Sequence, residues 1–108
     1  MGDVLHLIPR HRRTIRELLD EHLPGVEVWA YGSRVSGRSH DASDLDLVLR
    51  APGLQPMPMS ELAAFIEALR DSNIPFLVDA HDWARLADAF LREIEREHVV
   101  LVEGNAEG

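Results

Sequence analysis

The chain has 108 residues, 45% of them hydrophobic, enough for one domain with its own core. Eleven Lys and Arg against 19 Asp and Glu give a formal net charge of −8, which argues against sequence-independent DNA or RNA binding, because that rests on basic surface. The absence of cysteine excludes a disulfide framework and a thiolate metal site.

Pro9 to His22 reads as the first helix. Pro9 suits a first helical turn, Ile8, Ile15, Leu18 and Leu19 share a face, and Pro24-Gly25 ends the segment. Its start carries Arg10, His11, Arg12 and Arg13, charges that oppose the helix dipole. They read as a solvated face or as a docking patch for an acidic partner or for phosphates. Val26 to Tyr31 follows as a strand, with Val26, Val28 and Ala30 on one side and Glu27, Trp29 and Tyr31 on the other. Trp29 is expected in the core. A polar loop leads to a second strand, Asp44 to Leu49.

Residues 51–59 hold three of the six prolines and read as a connection, with Met57 and Met59 packing over the next helix. That helix is expected from Glu61 to Asp71, with Ser60 as N-cap and Leu62, Phe65, Ile66 and Leu69 as its buried stripe. A third strand is expected over Pro75 to Ala80, a helix from Trp83 to Arg96 with Asp82 at its N-cap, and a last strand over Val99 to Val102. That strand is also the longest aliphatic run, far too short to span a bilayer, and no apolar leader opens the chain. A cytoplasmic protein that makes no membrane contact is therefore expected. Residues 103–108 read as a frayed polar tail. The six histidines show no metal-ligand spacing.

The chemistry concentrates between Gly32 and Val48. Asp44 and Asp46 are two apart in a strand, so both carboxylates face one way while Leu45, Leu47 and Leu49 face the other. Two like charges side by side repel unless a cation sits between them, and a hard divalent ion takes such carboxylates together with phosphate oxygens. The loop from Ser33 to Ser43 is eleven residues long, short for a parallel crossover. An antiparallel pairing is expected instead, with Gly32 and Ser33 beside Asp44 and Asp46. Glycine lets a phosphate approach the backbone, and N–H groups and a serine hydroxyl donate to it. Arg34, which follows Ser33 directly, and Ser43 are further candidates for the nucleotide contact. Phosphate at one edge and metal at the other is the equipment of nucleotidyl transfer.

Gly32-Ser33, ten residues, then Asp44-x-Asp46 resembles the signature of the DNA polymerase β-like nucleotidyltransferase superfamily. The likeness runs over about residues 10 to 102, and it is greatest to the minimal nucleotidyltransferase (MNT) domains, typically the antitoxin partners of HEPN-domain ribonuclease toxins. The resemblance implies a third acidic residue on a neighbouring strand, one that completes the metal site and takes the proton of the attacking hydroxyl. Asp79 is the natural candidate, because a carboxylate within an apolar strand is costly unless paired, hydrated or on a metal. Asp82 is its competitor. Asp79 reaches the same sheet end as Asp44 if the third strand runs antiparallel to the second, a direction the sequence leaves open. His81, two residues on, shares the strand face of Asp79.

The expectation is an α+β fold in one domain, residues 1–108, with a small mixed β-sheet and helices packed on one face. The resemblance implies an enzyme that transfers AMP from ATP to a hydroxyl, typically tyrosine, of a cognate HEPN toxin, with two Mg²⁺ ions held by Asp44, Asp46 and Asp79. The alternative is a non-catalytic module that neutralises its partner by steric occlusion. Transfer to a small molecule is a third reading, and it needs a second chain to complete the acceptor pocket.

Overall fold

A computed structural model describes residues 5–40 and 42–104. The elements run α1 (Pro9–His22), β1 (Glu27–Tyr31), α2 (Ser33–Ser36), β2 (Leu45–Arg50), α3 (Met59–Arg70), β3 (Val78–Asp82), α4 (Asp88–Arg96) and β4 (Val99–Val102), with 3-10 turns at Pro52–Leu54 and Trp83–Arg85. The strands form one sheet in the order β3-β2-β1-β4. β1 pairs antiparallel with β2, as the short connection between them requires, and antiparallel with β4. β3 runs parallel to β2, and α3 carries the crossover that such a pairing needs.

Strict alternation sorts the sheet into two faces. Val28, Ala30, Leu45, Leu47, Leu49, Val78 and Ala80 point to one side, where α1 adds Ile15 and Leu19 and α3 adds Leu62, Phe65 and Leu69. This is the main core, and α1 and α3 are the helices expected on one face. Met57 joins them at 4% exposure, whereas Met59 is 59% exposed at the start of α3. On the second side Trp29, Tyr31 and Val48 meet Trp83 and Ile94. So α4 covers part of the face that also carries the acids, a placement the hydrophobic pattern alone did not supply. Here the Arg50 guanidinium lies 4.1 Å from the Trp29 ring centre and 4.6 Å from that of Trp83, and His98 stacks on Trp29 at 3.8 Å. The Trp29 Nε1 and Arg50 Nε atoms are buried without hydrogen-bond partners among the described residues. The cation–π contacts offset part of that cost.

Several boundaries differ from the sequence reading. The third strand begins at Val78 and extends to Asp82. Pro75 has no N–H for the ladder, and the parallel pairing opens only where Leu45 N–H donates to Leu77 O at 2.9 Å. The expected helix from Trp83 to Arg96 is broken. Asp82 accepts from Ala84 N–H and holds a 3-10 turn, Leu86 and Ala87 are extended, and α4 starts at Asp88. Ser60 does not cap α3: the helix starts at Met59, two residues before the expected Glu61, and no side chain caps it. The loop after β1 opens with the short helix α2, which the polar composition had concealed. Most of the expected tail, residues 105–108, lies outside the described residues.

Asp82 is 3% exposed, and its carboxylate accepts from Met57 N–H (2.9 Å), Ala84 N–H (3.1 Å) and Arg85 Nε (3.1 Å). Replacing it by alanine strands a buried amide, and Asp82→Ala is expected to lower the urea-unfolding free energy by about 1–3 kcal/mol. Asp79→Ala, at a side chain 51% exposed, is expected to stay within about 0.5 kcal/mol of the parent. Equal losses from the two substitutions would contradict the division between a structural and a solvent-facing carboxylate.

Candidate active site

The site lies where the register brings three strands level. Tyr31 pairs with Asp46 across β1 and β2, and Asp46 pairs with Asp79 across β2 and β3. These three form one row, on the face away from the main core. Asp44, expected as the first residue of the second strand, precedes β2, which starts at Leu45; it is exposed, and its charge acts on Asp46. Asp79 enters the row although β3 is parallel to β2, because it is the second residue of its strand and not the fifth, as the longer expected strand had made it. Asp82 is opposite Leu49 at the far end of the pairing and points to the main core.

The electrostatics follow from this crowding. The Asp46 carboxyl is raised above the usual carboxylate value, first by burial, then by the charges of Asp79 and Asp44, with His81 opposing. The Tyr31 hydroxyl is also pushed well up, by burial first and then by Asp46 and Asp79. His81 Nε2 is 3.3 Å from Asp79 Oδ2. Among the described residues, no three acidic or histidine side chains form a ready-made grip on one ion. The donor set nevertheless suits a hard divalent cation. Its ligands are all oxygens, and the pressure on Asp46 is of the kind that a positive charge relieves.

Gly32 ends β1 with φ 84° and ψ −154°, and its carbonyl accepts from Val35 N–H and Ser36 N–H to start α2. That backbone conformation is essentially reserved to glycine. A Cβ at this position would lie 2.5 Å from Asp46 Oδ2. Thus Gly32 both turns the chain and leaves the space that the Asp46 carboxylate occupies. Ser33 follows as the first residue of α2, half-buried at the same end of the sheet.

Arg34 does not have the position expected of a phosphate clamp. It is 3% exposed, and its guanidinium donates to Ser43 O through Nε (2.9 Å) and Nη2 (2.7 Å) and to His6 O through Nη1 (2.8 Å). It also lies 3.9 Å from the centre of the Phe76 ring. Ser43 is likewise engaged in the loop, its hydroxyl accepting from His40 N–H at 2.9 Å. Together they fix the backbone immediately before Asp44. The order of the sequence put Arg34 next to Ser33, but one helical step turns its side chain inward. Tyr31 was not singled out from sequence. The signal was present, since antiparallel pairing across a short loop puts the last residue of β1 opposite an early residue of β2.

Residues 12–102 match the model of the nucleotidyltransferase domain family, and the chain belongs to that family. It is similar to the probable protein adenylyltransferase MntA of Haemophilus influenzae, at 34% identity over 89 residues that cover 82% of this chain and 76% of the relative. It also resembles a chain in a crystal structure of a toxin–antitoxin with AMP-PNP, with a TM-score of 0.71 over 89% of this chain and 75% of that chain. At 18% identity that second likeness is one of fold.

Two outcomes test the geometry. Gly32→Ala is expected to cost about 1–3 kcal/mol in urea unfolding from the backbone alone, with the contact to Asp46 adding to it. The raised Asp46 carboxyl means that the folded state holds this proton more tightly than the unfolded chain does. Its contribution to stability is therefore present below the unfolded value of 3.8 and is lost as pH rises through the folded value. Asp46→Asn removes that loss. The variant should melt at a higher temperature than the parent at pH 7, with the gain vanishing below pH 3.8. A variant that melts lower at pH 7 would refute the account of crowding.

Proposed function

We propose that this nucleotidyltransferase is the antitoxin of a toxin–antitoxin pair, and that it transfers AMP from ATP to a tyrosine hydroxyl of a cognate HEPN ribonuclease toxin. The observation that carries the reading is the row of Asp46 and Asp79 beside Tyr31, with Asp44 just before β2 and Gly32-Ser33 at its end. The likeness to MntA supports a nucleotide donor and a protein acceptor, and the toxin–antitoxin neighbour supports the setting.

In this reading Asp44, Asp46 and Asp79 hold two Mg²⁺ ions, which supply Lewis-acid neutralisation of phosphate charge when bound. The remaining work falls to the chain's own groups. Ser33 donates its hydroxyl and backbone N–H to the departing phosphates, and Gly32 keeps that approach open by lacking a side chain. Asp79 accepts the proton of the attacking hydroxyl, with His81 orienting the carboxylate from 3.3 Å. The hydroxyl oxygen bonds to the α-phosphorus, and pyrophosphate leaves with the electron pair of the broken bond. Arg34 holds the Ser43 carbonyl, and so Asp44, from behind.

The test is label transfer from α-³²P-ATP with Mg²⁺ to the protein encoded beside this chain. Label on that neighbour is expected, with a loss of at least about 100-fold for Asp46→Asn, the scale of removing a group that acts only in the transition state. Chelation by EDTA should abolish transfer. Mg²⁺ at about 100 times its dissociation constant should stabilise the parent by about 2.7 kcal/mol and leave the double variant Asp44→Asn, Asp46→Asn unchanged. A tight complex that neutralises the partner without label, and equally with the double variant, would favour steric occlusion.

A further inference from the structure

We propose that the hollow between the end of β1 and α4 receives the acceptor side chain, and that it selects an aromatic hydroxyl carried on a positively charged segment. The inference rests on the reading that the acceptor is a protein hydroxyl. The hollow has a volume of about 170 Å³ and is lined by Tyr31, Gly32, Phe90, Glu93, Ile94 and Glu97. It opens beside the acids because Tyr31 is the register partner of Asp46. Pockets for whole small molecules usually run to about 300–1,000 Å³. The space here suits one side chain and is too small for a nucleoside triphosphate.

The lining favours a ring. Tyr31 is buried, and Phe90 stands edge-on to it, with centroids 5.6 Å apart and planes at 82°. Phe90 remains 40% exposed, so much of its ring is left for another partner. A phenol stacks or sets its edge against such a surface, whereas the small hydroxyl side chains gain nothing from it. The rim is acidic. Glu93 shares its charge with Arg96 at 3.2 Å, and Glu97 makes no ion pair among the described residues. These carboxylates disfavour the polyanionic nucleotide and favour a cationic neighbour of the acceptor. The nucleotide is thereby kept out of the hollow, which adjoins Gly32 at the end of β1.

The test titrates two phenols into the ¹⁵N-labelled chain and follows its amide signals. Tyramine carries an ammonium group, and 4-hydroxyphenylacetate carries a carboxylate. Tyramine is expected to shift Tyr31, Phe90, Glu93 and Glu97 and to bind several-fold more tightly than its anionic counterpart. Phe90→Ala should weaken tyramine binding by roughly two- to tenfold. Glu93→Gln combined with Glu97→Gln should abolish the preference between the two phenols. Equal affinity of the parent for both phenols, tyramine shifts that avoid these residues, or larger shifts at the same amides with adenosine would each overturn the assignment. Binding here requires no transfer. A chain that binds tyramine as described but labels no protein speaks against adenylyl transfer alone, and a chain that labels its partner without these shifts speaks against the hollow alone.

Discussion

Three carboxylates at one end of a small sheet oppose each other, and the rest of the molecule is arranged to hold them there. Asp46 and Asp79 are level across β2 and β3, and Asp44 stands just before β2, near enough for its charge to act on Asp46. Burial first, and then the charges of Asp79 and Asp44, raise the Asp46 carboxyl. What offsets this cost is on the opposite face, where α1 and α3 bury Leu45, Leu47, Leu49, Val78 and Ala80. Because side chains alternate along a strand, burying those residues forces the aspartates outward. A one-residue slip of β2 would bury the acids and expose the leucines, so the main core and the site are fixed by the same register.

Two other ionic groups show how position separates structure from chemistry. Arg34 and Asp82 are both 3% exposed, and both are bonded to backbone groups. Arg34 ties the loop before Asp44 to the segment around His6, and Asp82 ties the residues before α3 to the turn after β3. A buried charge with this many partners stabilises a connection, since removing one member leaves the others desolvated and unpaired. The site acids are the opposite case: partly open to solvent and crowded by like charge. That contrast, more than residue type, separates the site acids from the structural ones.

Membership of the nucleotidyltransferase domain family is consistent with this economy. The fold provides a glycine turn at Gly32, a row of acids, and two helices, α2 and α4, beside the Tyr31 end of that row. α2 starts directly at Gly32 and serves the nucleotide side in the proposed mechanism. α4 stands against Tyr31 with an open aromatic and acidic surface. No helix among the described residues is long and apolar enough to cross a membrane.

Much of this was legible in the order of residues. The spacing of Ile15, Leu18 and Leu19 delimited α1 correctly, the alternation in β1 and β2 assigned their faces, and the short loop between them dictated antiparallel pairing, because local sequence carries those signals within a few residues. The pair Asp44 and Asp46 and the turn at Gly32-Ser33 were visible for the same reason. Three features depended on contacts distant in sequence. The parallel direction of β3 follows from the α3 crossover, and with its later start it brings Asp79 level with Asp46. The inward turn of Arg34 depends on carbonyls of His6 and Ser43. The break between Trp83 and α4 depends on Asp82 and Arg85 both finding Met57 across the fold. The sequence by itself determined which residues could carry the chemistry. Which of them share one face at one end was decided by the tertiary structure, since strand direction and the path of a buried guanidinium are set by partners that only the folded chain brings near.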